Sequence, residues 1–324
     1  MRIRAPHAPL ALERVLLPEP RDSQVLLEVT ACGVCRTDLH ILHGELPNAR
    51  YPVTPGHEIV GRVAVAGPAA PFAVGDRVGV PWLGRSCSVC RYCKLDLENL
   101  CDNASFTGCT VDGGYAEHVL ADGRYCFTIP ERYSDELAAP LLCAGLIGYR
   151  AYRAAGNGTS LGLYGFGAAA HLLAQIAHAQ GRRVFAFTRT GDAAAQRFAR
   201  ELGAVWAGDS MSAPPEPLDT AILFAPVGAL VPAALAAVRK GGRVVCAGIH
   251  MSDIPRFPYE LLWGERTVTS VANLTRADGR EFMRVAAEVD LRPQIEVLPF
   301  TAANAALERL ERGELHGAAV LSMR

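Results

Sequence analysis

An α/β chain of two units, one β-rich and loop-rich and the other built on a doubly wound parallel sheet, is what the sequence predicts. Three observations carry that expectation. Residues 1–145 contain short β-type runs, QVLLEVTAC, HEIVGRVAVAG and GDRVGVP, separated by turn residues. From about residue 160 apolar strands alternate with Ala-rich helical segments, the spacing of a parallel sheet with right-handed crossovers. The 324 residues, half of them hydrophobic, suffice for two ordinary cores without disulfide staples.

In order, the second unit (146–272) reads as strand LGLYGFG, helix AAAHLLAQIAHAQG, strand RRVFAFTR, helix DAAAQRFARELGA, strand TAILFAP, helix GALVPAALAAVRKGG and strand RVVCAGI. These strand segments are short apolar runs of the length of buried central strands. PPEPLD at 214–219 reads as a loop. The tail 273–324 offers a helix near GREFMRVAAEV, an extended QIEVLPF and a helix around ANAALERLERG. That is too little to bury a core, so the tail is expected to return and complete the first unit. No internal repeat or low-complexity segment breaks the pattern.

The 32 basic and 33 acidic side chains nearly cancel, which argues against nucleic acid or an anionic membrane surface as the main partner. No window approaches the roughly 20 apolar residues of a membrane span, and the start MRIRAPHAPLALERV lacks a long apolar signal core. A soluble, cytoplasmic protein is expected. In a reducing compartment, ten cysteines are more often metal ligands or reactive groups than disulfides.

Cys87, Cys90, Cys93 and Cys101 form C-x2-C-x2-C-x7-C. Two-residue gaps let successive thiolates turn back onto one tetrahedral ion about 2.3 Å away. Four thiolates leave no open position, so the spacing predicts a structural zinc that pins the polar loop GRSCSVCRYCKLDLENLC. Buried or disulfide-bonded cysteines and an iron–sulfur cluster are the rival readings. A zinc finger for nucleic acid would need a basic face, and this loop has nearly balanced charges.

A second group is dispersed: Cys35 in GVCRTDLH, His57 and Glu58 in PGHEIVG, and Cys143 in APLLCAG. Ligands scattered over loops and strand ends, with one coordination place left open, suit a catalytic metal. Two thiolates and a neutral imidazole cancel the charge of a zinc ion, which would still polarise a bound alcohol oxygen. Glu58 is open to three roles: direct ligand, transient ligand, or a group orienting the shell from behind. Thr37 and His40 follow Cys35 closely enough for a hydroxyl to hand a proton toward an imidazole whose unperturbed pKa is about 6.5. Thr37 and Asp38 also read as the cap of the helix TDLHILHG. Cys32, Cys109, Cys126 and Cys246 lack a partner motif and read as small buried residues.

The strand LGLY runs into Gly165-Phe166-Gly167-Ala168-Ala169-Ala170 and then a helix, so G-x-G-x-x-A stands in the context of a dinucleotide-binding, Rossmann-type unit. Gly165 permits the tight turn, Gly167 lets a pyrophosphate approach the backbone, and the helix N-terminus offers free N–H groups. The next strand ends in Thr188 and Arg189, followed by Thr190 and Gly191, with no carboxylate for a ribose 2′-hydroxyl. An arginine with hydroxyls favours NADP(H) over NAD(H). Gly248, closing RVVCAGI, is grouped with the cofactor-binding residues.

GVCRTDLH, PGHE, the four-cysteine loop, LLCAG and GFGAAA, in that order, resemble the zinc-dependent medium-chain alcohol dehydrogenases over nearly the whole chain. The resemblance implies a GroES-like catalytic domain closed by the tail. It implies Cys35, His57 and Cys143 as catalytic zinc ligands, Glu58 near the metal, Thr37 and His40 as proton relay, and two zinc ions per chain. By the same resemblance Trp82 in VPWLGRSC narrows the substrate pocket, although ordinary core packing accounts for it equally well, and Arg276 in NLTRADG lies on the cofactor side. Where family members often place an arginine near the last strand, this chain has His316. The implied activity is reversible oxidation of an alcohol with hydride transfer to nicotinamide, in a homodimer or homotetramer. The alternatives are a reductase of activated aldehydes or enones, and a non-enzymatic nucleotide-binding relative.

Overall fold

A computed structural model describes residues 1–315 and 317–323, and the chain divides into two compact units. Residues 1–143, 273–288 and the segment from 292 onward form the first; 144–272 with 289–291 form the second.

The first unit is a seven-stranded sheet around the long strand Gln24–Val34, whose odd-numbered core residues Val25, Leu27, Val29 and Ala31 are buried. Strand Ile59–Ala66 pairs antiparallel to one side of it, and strand Ala318–Ser322, from the tail, pairs antiparallel to the other end with Ala31 opposite Ser322. Strand Ile295–Pro299 then adds parallel to Ala318–Ser322. The tail therefore supplies strands that the first 143 residues lack. The helix Ala303–Arg312 caps this sheet by burying Ala303, Ala306 and Leu307, a 3–4 spacing that puts them on one face.

The second unit is a six-stranded, all-parallel sheet in the order Trp206–Asp209, Arg183–Thr188, Ser160–Tyr164, Leu218–Leu223, Val238–Cys246, Thr267–Ser270. This is the doubly wound arrangement, reversing direction between Ser160–Tyr164 and Leu218–Leu223, where such sheets bind ligands. Tyr164 and Phe187 stack across neighbouring strands with centroids 3.9 Å apart. Two boundaries differ from the sequence expectation. The helix Leu230–Ala237 ends before Val238, because Val238 already pairs with Leu218 in the strand Val238–Cys246, which bulges before Arg243 with Gly241 at φ 74°. Leu218 and Asp219, expected in a loop, begin the strand Leu218–Leu223, Leu218 being fully buried.

Candidate active site and nucleotide turn

Cys35 stands where the strand Gln24–Val34 gives way to the helix Arg36–Leu42, in an extended conformation as the helix N-cap. The expected cap is thus shifted by two residues: Cys35 is the cap, and Asp38 Oδ2 accepts from its backbone N–H at 2.9 Å. His57 follows Gly56, whose φ of 96° suits only glycine, and Glu58 immediately precedes the strand Ile59–Ala66. Cys143 lies between the 3₁₀ turn Ala139–Leu142 and the helix Ala144–Ala155.

These three segments bring Cys35, His57, Glu58 and Cys143 together, with one potential ligand atom of each within 4.8 Å of the others. Cys35 Sγ lies 3.8 Å from Cys143 Sγ, and His57 Nε2 lies 3.3 Å from Cys143 Sγ. A tetrahedral zinc with bonds of about 2.3 Å to sulfur and 2.0 Å to nitrogen has edges of about 3.8 Å and 3.6 Å. The donor set and its edges fit that ion. The hydrogen bond with Cys143 lowers the Cys35 pKa well below the ordinary thiol range and raises that of Cys143. Burial works against an imidazolium at His57, but the Asp38 carboxylate outweighs it and raises the His57 pKa well above its usual value. Burial pushes the Glu58 carboxyl well up. Gly33 makes room for Glu58: a Cβ there would sit 2.0 Å from Glu58 Oε2.

Thr37 Oγ1 is 3.7 Å from Cys35 Sγ, while His40, further along the same helix, turns its Nδ1 to Glu45. The Trp82 indole meets the His57 ring edge-on, centroids 5.0 Å apart, and stacks on Phe106 at 5.2 Å. Trp82 also packs, partly buried, against the core of the first unit, as the packing reading expects.

The four-cysteine loop closes on itself. Cys87, Cys90, Cys93 and Cys101 gather their sulfurs within 4.8 Å, with Cys90–Cys93 at 3.6 Å and Cys87–Cys93 at 3.9 Å, again the edges of a small tetrahedron. Backbone N–H groups of Val89 and Cys90 bring the Cys87 thiol down to about 6, a site disposed to hold thiolate. None of the ten cysteines is in a disulfide. Cys32, Cys109 and Cys126 are buried outside both clusters, and Cys246 is half-buried.

In the second unit Gly165 has φ 88°, and a Cβ there would meet Ala225 N at 2.8 Å, so the turn after Ser160–Tyr164 requires glycine. Gly167 is the N-cap of the helix Ala168–Ala179 with no side chain capping it, and a Cβ at Gly167 would meet nothing within 4 Å. Open space in front of uncapped N–H groups is what a phosphate needs. Phe166 stands edge-on to Phe198 at 6.1 Å. Gly248 N–H donates to Leu223 O at 3.1 Å, on the strand beside the reversal point. Arg189 is exposed, whereas Thr188, named with it for the cofactor, is buried with its hydroxyl engaged by Gly208 O and Gln196 Nε2.

Residues 21–131 match the alcohol dehydrogenase GroES-like domain. A Mycobacterium tuberculosis protein described as "probable alcohol dehydrogenase AdhA" is 47% identical over 96% of this chain and 92% of its own length. The chain belongs to the medium-chain alcohol dehydrogenase family. An alcohol dehydrogenase of Geobacillus stearothermophilus is 34% identical over 97% of this chain and 96% of its own. Among solved structures, a cinnamyl alcohol dehydrogenase of Sorghum bicolor superposes with a TM-score of 0.88 at 28% identity, over 99% of this chain and 96% of that one.

Within this alcohol dehydrogenase chain, three residues matter more than the sequence suggested. Asp38, read only as a helix cap, is fully buried; it accepts from the backbone N–H of Cys35 and Gly56 and from Tyr115 OH, and its Oδ1 lies 3.5 Å from His57 Nδ1. Its sequence signal was the DLH following a ligand cysteine, which spacing alone assigns to capping. Asp38→Asn is expected to weaken catalytic-metal affinity about 10–100-fold, read by competition with a chelator, while leaving the fold intact. Phe106 had no signal beyond being aromatic. Asp209, from the outermost strand, accepts from Gly191 N–H and Gln196 Nε2 and holds the loop after Arg189.

Arg276 departs from its expected cofactor-side place. Its Nε and backbone N–H both bond Glu98 Oε1, at 3.0 and 2.9 Å, and its guanidinium stacks 5.0 Å over Tyr125. Tyr125 OH bonds Ser86, which in turn contacts Cys93 Sγ at 3.3 Å. The side chain is thereby tied to the four-cysteine loop. His316 lies outside the described residues.

Proposed function

We propose that the chain is a zinc-dependent, NADP(H)-preferring alcohol dehydrogenase that interconverts an alcohol with its aldehyde or ketone. As a family member it is an oxidoreductase of alcohols and aldehydes. The convergence of Cys35, His57 and Cys143 from three distant segments into one set of tetrahedral edges carries this reading. Cys35, His57 and Cys143 would hold the catalytic zinc with Glu58 behind it, and Cys87, Cys90, Cys93 and Cys101 the structural one. When bound, the catalytic ion supplies Lewis acidity at the substrate oxygen, and the dinucleotide supplies or accepts the hydride.

The protein's own part is positioning and proton handling. Thr37 Oγ1 takes the proton of the substrate hydroxyl and passes it toward the His40 imidazole, whose Nδ1 is oriented by the Glu45 carboxylate. Trp82 and Phe106 form a flat apolar wall that excludes water and seats the carbon skeleton. Asp38 fixes the His57 ring. Gly165, Phe166, Gly167 and Ala168 receive the pyrophosphate, and Gly248 lies by the switch point.

Exposed Arg189, with no carboxylate on its own strand end, supports the NADP(H) preference. Arg189→Ala is expected to lower kcat/KM for NADP about 10–100-fold, the loss of one or two charge-assisted hydrogen bonds, with NAD changed far less. A wild type that strongly prefers NAD overturns the preference. Following nicotinamide absorbance with graded alcohols, aldehydes and enones tests the reaction class: turnover confined to enones supports the reductase alternative, and none with any panel member supports a binding relative.

Among the described residues no helix is long and apolar enough to cross a membrane. Ten unpaired thiols suit the cytoplasm. A homodimer or homotetramer is the proposed assembly, and the edge strand Thr267–Ser270, with Tyr259 and Trp263 exposed before it, supports pairing between copies.

A further inference from the structure

The amino-terminal edge of the six-stranded sheet gathers positive charge that the proposed chemistry does not use. In a parallel sheet all strands begin at one edge, and the register sets Arg183 beside Ser160 and Arg243 beside Thr220. Arg182 precedes the strand Arg183–Thr188, and Arg239 and Lys240 lie near the start of Val238–Cys246. Five cations thus meet two carboxylates, Asp219 and Glu216, in a chain of net charge −1.

Both carboxylates are already engaged. Asp219 accepts from Ser160 N–H at 2.8 Å and Thr159 Oγ1 at 3.0 Å and pairs with Arg239 at 3.0 Å. Glu216 pairs with Arg183 at 2.5 Å and accepts from Ser160 Oγ at 3.1 Å. The remaining cations have no carboxylate partner among the described residues, although Arg182 also stacks 4.7 Å over the Tyr152 ring. Exposed Lys240 has no hydrogen bond or ion pair among the described residues, and exposed Arg243 donates to Ala154 O at 2.7 Å. Arg182 is 8% exposed; it donates to Gly156 O and Thr220 Oγ1, each at 3.0 Å, and its Nε has no hydrogen-bond partner among the described residues.

Those two acceptors face a groove of about 310 Å³, lined by Gly156, Asp219, Thr220, Arg239, Lys240 and Arg243 among others. The buried guanidinium therefore stands directly behind the groove wall, where its field is screened less than that of an exposed charge. The volume is at the small end of ligand sites, which run from about 300 Å³. Three lining cations, Arg239, Lys240 and Arg243, against one lining carboxylate, Asp219, with Arg182 bonded to the wall, match a multiply charged, compact anion.

We propose that this groove binds a small phosphate-bearing anion, at the edge of the sheet opposite the one that carries Gly165 and Gly248. The site is independent of the redox reading. The test is calorimetric titration of the zinc-replete full chain with inorganic pyrophosphate, in saturating nicotinamide dinucleotide so that the glycine turn is occupied. One-to-one binding that weakens as salt rises is expected, and the Lys240→Gln/Arg243→Gln double variant should bind at least about tenfold less tightly, with zinc content and turnover unchanged. Parallel titrations with inorganic phosphate and with a phosphomonoester distinguish a free-phosphate site from one for a phosphorylated metabolite. No binding beyond that of matched sodium chloride, or equal binding by the variant, overturns the proposal. Should the double variant fold poorly, Lys240→Gln alone removes the exposed, unpaired cation and gives the same comparison.

Discussion

Cys35→Ala is expected to remove one of the two zinc ions proposed per chain and to lower kcat/KM by about a thousandfold or more. A Lewis acid contributes several kcal/mol to such a reaction, and each 1.36 kcal/mol is about a factor of ten in rate. The remaining imidazole and thiol cannot close three corners of the tetrahedron, since Cys35 Sγ supplies the 3.8 Å edge to Cys143. The substitution also removes the sulfur contact that Cys143, half-buried, makes with Cys35. Metal analysis and turnover must fall together. A variant that keeps full turnover refutes the catalytic assignment, whereas one that keeps two zinc ions but loses activity moves the ligand role to Glu58.

The second large effect is on stability. Cys101→Ser is expected to lose the other zinc and lower the first thermal transition by about 10 °C or more, while the protein still turns over substrate at low temperature. The helix Arg91–Lys94 buries no residue, so apolar contact does not hold the loop once the metal is gone. A structural zinc contributes on the order of 10 kcal/mol to folding its site, and even about 4 kcal/mol of that, at roughly 2–4 °C per kcal/mol, gives the shift. The loop is tied to the helix Arg276–Glu288 through Glu98–Arg276 and Ser86–Tyr125, so Arg276→Ala should reproduce a small part of the loss without releasing zinc. Differential scanning calorimetry with zinc analysis on both variants makes the comparison. Equal melting of Cys101→Ser and wild type removes the structural role.

Much of this was legible in the chain. Two-residue gaps carry a closed thiolate set by themselves, because neighbouring residues can turn onto one ion without help from the fold. The glycine turn was legible for the same local reason, as strand, turn and helix succeed one another within the 20 residues from Ser160 to Ala179. Asp38 was read as part of the helix cap, which its bond from Cys35 N–H bears out, and only burial against Gly56, Tyr115 and His57 reveals its second task. Arg276 was misassigned because its partner, Glu98, is 178 residues away. Thr188 was named as a cofactor hydroxyl from its place at the strand end, and its burial with Gln196 of the following helix is not visible in the sequence.

The residue types that chelate, the order in which they come and the positions that must be glycine were determined by the sequence, since donor chemistry and allowed φ belong to single residues. Whether Cys35, His57 and Cys143 meet was decided only by the tertiary structure. They are separated along the chain by as many as 108 residues, and a metal accepts ligands only within a few tenths of an ångström of its preferred distances. Long-range strand pairing, including the return of Ala318–Ser322 onto the strand that ends before Cys35, sets those positions, and no local pattern encodes that closure.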